Sequence, residues 1–390
     1  MKNKVLNLDK SSWVLTKLGD LAKDISKRVD NPGESEYDRF VGLGNFVSGD
    51  IKIKSWETTK NLASSAKAFQ IGDILFARRN AYLRRASLVD FDGCCSGDAF
   101  VLRENHDEVV PGFLAFLMNS NTLWDFANSN AAGTMSKRVK WRDLAEYEFL
   151  LPPKQEQAKL AELLWAMDEV IEYELKILQK YFITKQCKIK DLYFNSNTDF
   201  KLVSLGEIST LITKGTTPTS LGESFVDSGI NFIKIESLTP EGGVIKDKLE
   251  HIDNKTHEKL KRSQIQAKDI LFSIAGALGR CTVVSKSICP ANTNQALAII
   301  RLKTNIVPEF ILEYLKSDLI KNHIERVHVK SAQSNLSLKN VNEFQVPLPS
   351  NNIQNQISDE VKKLNLVLSD LKNKILSSKD LQKSLIGQIF

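Results

Sequence analysis

Two stretches of this chain combine basic side chains with a complete absence of acidic residues. One runs from Leu75 to Val89 and contains four arginines, and the other runs from Ile270 to Pro308 and contains Arg280. Cationic side chains bind phosphate groups, and Arg, Gln and Asn side chains also make bidentate hydrogen bonds to base edges. The two stretches therefore indicate nucleic-acid binding, with a solvated basic face as the simpler alternative for each.

Two further segments carry cations or hydroxyl groups. Residues 137–142 cluster four cations with one aromatic residue, and residues 326–342 hold cations and amides without an acid. The loop at 214–218 adds hydroxyl groups that could approach a phosphate backbone, although an ordinary turn is an equal interpretation. The DNA-binding residues that we predict from all these segments are Arg78, Arg79, Arg84, Arg85, Lys137, Arg138, Lys140, Lys214, Thr216, Thr217, Arg280, Lys330, Gln333 and Asn335.

Catalytic motifs are scarce. The FxGxG pattern at Phe40–Gly44 is one that can hold S-adenosylmethionine, so a DNA adenine methyltransferase is one alternative function. A later segment that aligns with it, Phe232–Glu236, lacks both glycines, which close approach of a backbone to a cofactor needs. The sequence has no GxxxxGK[ST] loop, GxSxG elbow or HExxH helix, and its histidine pairs have spacings that do not suit a metal site on one helix face. We therefore expect no catalytic residue, cofactor or metal ion in this chain.

An internal repeat organises the chain. Asp73–Phe76 aligns with Asp269–Phe272, and Leu151-Pro152 aligns with Leu348-Pro349. The offset between the copies grows from 187 to 197 residues, so the extra residues of the second copy fall early, in turn-rich segments. Buried strands are predicted at 73–76 and 296–302 and a short helix at 111–119, which gives each globular part an α+β character.

The segment after each Leu-Pro pair differs from the globular parts. Apolar residues recur at intervals of three and four from Lys154 to about Phe194, and the same spacing returns from Ile353 to Phe390. Each segment predicts a helix of about 40 residues and about 60 Å. A single apolar stripe of this length must be buried, and an antiparallel coiled coil of the two helices does so most simply. Packing of each helix along its own domain is the alternative.

Composition sets the broad class. A hydrophobic content of 42% with 26% charged residues is ordinary for a globular protein, and the longest apolar runs fall far short of a membrane span. Five cysteines without a CxxC pair indicate reduced thiols rather than a disulfide framework. We expect a cytoplasmic protein.

The order of these motifs resembles the DNA specificity subunit of type I restriction-modification enzymes, along the whole chain. The segments that carry the resemblance are Gly72–Phe76, Leu151–Gln157, Leu205–Ile208, Lys214–Pro218, Lys268–Phe272 and Ser334–Ser337. The second Leu-Pro site departs from the pattern, because Leu348–Gln356 lacks the second proline and the glutamate of the first. Unequal docking of partners at the two helix entries is therefore expected.

The resemblance implies an α+β architecture of two tandem mixed α/β target recognition domains and two long antiparallel helices that form a coiled-coil spacer. Its domains would lie at 1–152 and 199–350, and its helices at 153–198 and 351–390. It implies double-stranded DNA, two methyltransferase subunits and restriction-translocase subunits as partners, with S-adenosylmethionine, ATP and magnesium bound only by those subunits. The residues that we predict for partner docking are Gln155, Glu156, Gln157, Gln354 and Gln356.

The main hypothesis is thus a non-catalytic subunit that recognises a bipartite DNA site and brings its partners to it. A methyltransferase that uses Phe40–Gly44 is one alternative. A coiled-coil adaptor that binds protein only is the other.

Overall fold

The computed structural model describes residues 8–194, 200–331 and 335–390. These residues form two compact units. The first unit takes in the described residues up to Leu178 together with Leu371–Phe390, and the second takes in those between Gln179 and Asp370. Each unit therefore contains one part of each long helix.

The first unit contains all strands and short helices of the first copy. They are β1 Val14–Lys17, α1 Leu18–Leu21, β2 Ala22–Asp24, β3 Lys27–Val29, β4 Arg39–Val41, β5 Glu57–Thr58, β6 Ala66–Phe69, β7 Ile74–Ala77, β8 Ala86–Leu88, β9 Gly93–Cys95, β10 Ala99–Glu104, α2 Leu114–Leu117, α3 Asn121–Ser129, α4 Trp141–Leu144 and β11 Glu148–Leu151. The first long helix, α5, follows at Lys154–Phe194.

The second unit repeats this order. Its elements are β12 Lys201–Ser204, β13 Ser209–Lys214, β14 Ile230–Ile233, β15 Glu250–Ile252, α6 Asn254–Lys259, β16 Gln264–Ile265, β17 Ile270–Ser273, β18 Cys281–Val283, β19 Ala291–Thr293, β20 Leu297–Leu302, α7 Pro308–Leu315, α8 Asp318–Ser331, α9 Leu338–Asn342 and β21 Gln345–Leu348. The second long helix, α10, spans Asn351–Ile389.

The sheet topology confirms the duplication. The described strands β2-β10-β7-β8 form one sheet of the first unit, and β13-β20-β17-β18 form its counterpart in the second. A second sheet in each unit contains one parallel pair, β4 with β9 and β14 with β19, among antiparallel neighbours. A small sheet, β1 with β11 and β12 with β21, joins the beginning of each copy to its end.

An arginine–aspartate pair recurs at the edge of the core. Arg103 donates from Nε and Nη2 to the two carboxylate oxygens of Asp73, at 2.8 and 2.9 Å. Arg301 makes the same fork with Asp269, at 2.8 and 2.7 Å. Both aspartates are almost fully buried. Arg301 is thus not a free cation of the second acid-free stretch, because its partner lies one residue before that stretch begins.

The long helices run antiparallel within each unit, as predicted. In the first unit Glu174 on α5 contacts Lys374 on α10, with an oxygen–nitrogen distance of 3.4 Å. In the second unit the Tyr181 hydroxyl donates to the Leu364 carbonyl at 3.1 Å, and Lys188 pairs with Glu360. The helices also pack on the globular parts, since Leu160 and Leu164 of α5 belong to the first core. Both predicted modes of burial therefore occur together.

A buried glutamine fastens the first turn of each long helix. The Gln157 amide is 1% exposed, accepts from the Val110 N–H at 2.9 Å and donates to the Pro152 carbonyl at 2.9 Å. Gln354 is 2% exposed and makes the equivalent bonds to Val307 and Pro349, both at 2.9 Å. These side chains satisfy backbone groups at the junction of helix and globular part.

The short helix predicted at 111–119 is wrong in its bounds. The helix covers only Leu114–Leu117, because Gly112 adopts a left-handed φ of 77° that interrupts a helix beginning at Pro111. In the parts of the chain that the structure describes, no helix is long and apolar enough to cross a membrane.

We predict that Gln157→Ala and Gln354→Ala each destabilise the chain by about 1–3 kcal/mol, because each leaves a backbone N–H at the junction without its acceptor. Urea unfolding would measure the loss. Gln155→Ala is the matched control, since Gln155 is exposed on the same helix turn. Equal stability of the Gln155 and Gln157 variants would contradict the role of the buried amide.

Candidate nucleic-acid interface

The loop that follows β7 in the first unit has an unusual backbone. Asn80 and Arg84 both adopt left-handed conformations, with φ of 56° and 49°, on either side of a single 3-10 turn. A left-handed conformation costs an L-residue roughly 1–2 kcal/mol. The turn between them displays Tyr82, which is 67% exposed. Strain of this kind is concentrated at functional sites.

The loop after β17 in the second unit also has a left-handed residue near each end, but both are glycines, the loop is one residue shorter and it contains no 3-10 turn. Gly276 and Gly279 have φ of 74° and 80° at the positions equivalent to Asn80 and Arg84. Both copies therefore need the left-handed backbone, and only the first copy places side chains there. Glycine adopts this conformation without the steric cost of a Cβ atom.

A second loop, residues 131–140, joins this turn to form one surface. The Asn80 N–H donates to the Lys137 carbonyl and the Val139 N–H to the Arg78 carbonyl, each at 2.9 Å. The loop displays Met135, which is 98% exposed. Lys137 and Lys140 are exposed on it and form no ion pair with a described residue. Cations and apolar side chains thus lie together on this surface.

Three arginines converge on one carboxylate at this surface, and we name Arg78, Arg79, Arg138 and Asp98 the arginine cluster. Arg138 donates from Nε and Nη2 to the two oxygens of Asp98, at 2.8 and 3.2 Å. Arg79 lies 3.7 Å and Arg78 3.9 Å from the same carboxylate. The hydrogen bond from Arg138 holds the pKa of Asp98 below its ordinary value. The cluster carries three positive charges against one negative charge.

Three other predicted arginines have partners elsewhere in the fold. Arg84 donates to Asn121 at 2.7 Å and to Asp125 at 2.9 Å. Arg85 donates to the Leu43 carbonyl at 2.8 Å, and burial lowers its pKa. Arg280, the equivalent of Arg85 in the second unit, donates to the Leu238 carbonyl, just after the equivalent 3-10 turn, at 3.3 Å. Arg85 and Arg280 therefore hold a neighbouring loop in each copy.

In the second unit, the positions equivalent to the arginine cluster carry other side chains, one of which, Ile274, is buried in the core. Backbone hydrogen bonds place residues 274, 296 and 336 side by side, just as they place 78, 98 and 139 in the first unit. The positions of Arg78, Arg79, Asp98 and Arg138 are occupied by Ile274, Ala275, Ala296 and Asn335. Asn335 is exposed. The side chain of Lys330 and all of Gln333, both predicted for this surface, lie outside the described part of the structure.

The predicted hydroxyl loop lies against the strand end after β19. The Thr217 hydroxyl donates to Gln295 Oε1 at 2.6 Å, and the Thr216 N–H donates to the Thr293 carbonyl at 3.1 Å. Gly215 has no room for a side chain, because a Cβ there would lie 2.0 Å from the Thr293 carbonyl oxygen. Lys214 is exposed at the start of the loop. The loop is a closely packed turn that presents polar groups.

Three of the five residues predicted for partner docking form hydrogen bonds within the chain, and the other two are exposed. Gln157 and Gln354 are buried at the helix junctions, so their amides bond within the chain. Glu156 accepts a hydrogen bond from Trp13 Nε1 at 3.0 Å. Gln155 and Gln356 are exposed.

The FxGxG segment forms β4 and a following 3-10 turn. Gly42 has an ordinary φ of −79°, and its N–H donates to the side chain of Asn45 at 2.7 Å. The equivalent segment of the second copy is also a strand followed by a 3-10 turn, at Ile235–Ser237. The pattern therefore coincides with a structural element that both copies share. Among the described residues, no group of His, Cys, Asp or Glu is arranged to hold a metal ion, and all five cysteines are free.

Several residues of these surfaces were missed by the sequence analysis. Asp98 lies outside both acid-free segments, and Tyr82, Met135 and Gln295 carry no cation, so a pattern of positive charge does not point to them. One signal was present in the sequence. Gly276 stands opposite Asn80 when Asp73–Phe76 is aligned with Asp269–Phe272, and glycine and asparagine are the residues typical of a left-handed backbone, whereas Gly279 matches Arg84 only through the strand register of the structure.

One family model matches each half of the internal repeat. The model of the type I restriction modification DNA specificity domain matches residues 10–180 and again residues 197–378. The chain belongs to this DNA specificity family. The two halves of the internal repeat are therefore two copies of one family domain.

Proteins with similar sequences are named as specificity subunits of type I restriction enzymes. This member of the family is 25% identical over 314 residues to the Type I restriction enzyme EcoBI specificity subunit of Escherichia coli, an alignment that covers 72% of this chain and 63% of that protein. It is 22% identical over 322 residues to the putative MjaX specificity subunit of Methanocaldococcus jannaschii, covering 75% and 71%. The chain thus spans less than two thirds of the E. coli protein.

Solved structures share the fold of this specificity-family chain. A chain from a type I restriction-modification system aligns with a TM-score of 0.63 and 21% identity, covering 98% of this chain and 97% of its own. The S subunit from M. genitalium aligns with a TM-score of 0.54 and 17% identity, covering 100% and 99%. At these identities the likeness concerns the fold.

We predict that Gly276→Ala destabilises the chain by roughly 1–2 kcal/mol, since an alanine there is forced into a left-handed conformation. A new Cβ would meet only Ile235 Cδ1, at 3.5 Å, so the loss measures the backbone and not a steric clash. Asn80→Gly, the converse change in the first copy, should leave stability equal or higher. Thermal unfolding would compare the two, and a harmless Gly276→Ala would contradict the shared backbone requirement.

Proposed function

We propose that this chain is a non-catalytic DNA specificity subunit of a type I restriction-modification enzyme, and that it recognises a bipartite site in double-stranded DNA. The observation that carries this proposal is the pair of family domains with one topology and different side chains at equivalent loop positions. Two domains that recognised the same DNA sequence would have no need of different side chains in these loops. Two domains that recognised different half-sites would differ in the side chains of these loops.

The first unit has the chemistry of a DNA surface. Arg79, Lys137 and Lys140 supply charge for phosphates, while Arg138 and Tyr82 lie within the same pair of loops. The second unit presents amide and hydroxyl groups of Thr217, Gln295 and Asn335, which suit hydrogen bonds to base edges more than phosphate binding.

Partner subunits complete the proposal. Two methyltransferase subunits, and with them the restriction-translocase subunits, would dock near the helix entries, where Gln155 and Gln356 are exposed. S-adenosylmethionine, ATP and magnesium would be bound by those partners. The long helices α5 and α10 would set the unread gap between the two half-sites, since half-site spacing follows protein geometry. The protein would act in the cytoplasm.

The alternatives give different results in two simple measurements. A methyltransferase that used Phe40–Gly44 would crosslink to labelled S-adenosylmethionine as an isolated chain. An adaptor that bound protein only would enrich no DNA sequence when complexed with its partners.

We predict that replacing residues 199–350 with the equivalent domain of another family member changes only one half of the recognised sequence. The donor domain should keep an aromatic residue at the position of Phe310, because Tyr193 of α5 packs on that ring at 4.8 Å. The recognised sequence would be read from methylated sites in the DNA of a host that carries the complex. A change in both halves would contradict the modular arrangement.

We also predict that Arg79→Gln with Lys137→Gln weakens DNA binding and flattens its dependence on salt. Each lost phosphate contact should reduce the slope of log K against log salt concentration by about 0.9. Arg28→Gln is the matched control, since Arg28 is exposed on β3 and pairs with Asp30 outside this surface. An unchanged slope in the double variant would remove these residues from the interface.

A further inference from the structure

The guanidinium of Arg138 is held along one edge only. Asp98 accepts from Nε and from Nη2, which leaves Nη1 and the second N–H of Nη2. No described residue accepts from Nη1, and the side chain is 42% exposed. One N–H of Nη1 and the free N–H of Nη2 lie parallel to each other on the far edge of the planar group.

The backbone that carries the Asp98 carboxylate is itself fixed. The Asp98 N–H donates to the Ser96 hydroxyl at 3.2 Å, and the Asp98 carbonyl accepts from the Arg78 N–H at 3.0 Å. Arg138 is tied by two backbone hydrogen bonds to Ala132, at 2.9 and 3.1 Å. Both members of the pair are therefore preorganised before any ligand arrives, which lowers the entropy lost on binding.

We propose that Arg138, positioned by Asp98, reads a guanine in the half-site bound by the first unit. This rests on the proposed function and names the base chemistry of one position. Two parallel N–H donors match the O6 and N7 acceptors of guanine in the major groove. Asp98 does not touch the DNA and acts as a positioning residue.

The Asp98 charge favours a base over a phosphate as the ligand. Asp98 offsets one of the three positive charges of the cluster, which weakens the attraction for a phosphate more than it weakens hydrogen bonds to an uncharged base edge. Phosphates have other cations in reach, because Lys137 and Lys140 form no ion pair with described residues. The two loops thus combine the oriented donor fork of Arg138 with the unpaired positive charges of Lys137 and Lys140.

The equivalent positions of the second unit hold neither an arginine nor a carboxylate. Asn335 occupies the position of Arg138, and Ala296 occupies that of Asp98. An asparagine needs no carboxylate to orient it and pairs bidentately with adenine. The guanine requirement assigned to Arg138 is therefore confined to one half of the site.

The test uses the complex with its partner subunits and a library of randomised duplexes, from which methylated sequences are read. The wild-type complex should require guanine at a position that Arg138→Gln relaxes, with discrimination there reduced roughly 10- to 100-fold. Arg138→Lys, which keeps the charge and loses the fork, should relax the same position. Asp98→Asn should relax it less, and Arg28→Gln should leave the motif intact.

Two results would overturn the proposal. A uniform loss of affinity for all sequences in Arg138→Gln, with a flatter salt slope and an intact motif, would make Arg138 a phosphate contact. An intact motif in folded Arg138→Lys and Arg138→Gln complexes would remove it from the bases altogether. Failure of the wild-type complex to enrich any sequence is a different result, which would count against the proposed function itself.

Discussion

The core of each unit is completed by the end of a long helix. Leu385, Ile386 and Ile389 of α10 are buried in the first core, and Phe390 packs on Phe113 with ring centroids 5.1 Å apart. Tyr193 of α5 occupies the equivalent place in the second core, where it packs on Phe310 and donates to its carbonyl at 2.7 Å. The first globular part therefore depends on a segment more than two hundred residues later in the chain.

Because each long helix contributes to both cores, the two copies keep the same arrangement of strands and helices, which we call the frame. A helix whose ends lie in two cores cannot change its length or apolar spacing without loss of burial in one of them, and buried aromatic side chains contribute strongly to a core. The loops after β7 and β17 contribute only a few side chains to these cores, Ala81 in the first copy and Ile274 in the second among them. They share a left-handed backbone but hold Asn80 and Arg84 in one copy and glycines in the other. Side chains on the loops are thus free to diverge while the frame is conserved between the copies.

The frame could be predicted from the sequence, whereas the site could be predicted only in part. Repeats and three-four spacing are local patterns, so the duplication, the two long helices and their antiparallel pairing followed from them. The role of a charged residue depends on distant partners. Arg85 and Arg280 bond to carbonyls about forty residues earlier in the chain, and Arg138 owes its orientation to Asp98, forty residues before it. A search for positive charge finds these arginines but cannot separate those that hold a loop from those that face outward.

The central claim is that one duplicated frame carries two different DNA readers. It is tested most directly by determining the sequence that the wild-type complex with its partner subunits methylates in a library of random duplexes. The account predicts two short specified segments of different sequence, separated by an unspecified gap of constant length. One continuous motif, or a gap of variable length, would contradict it.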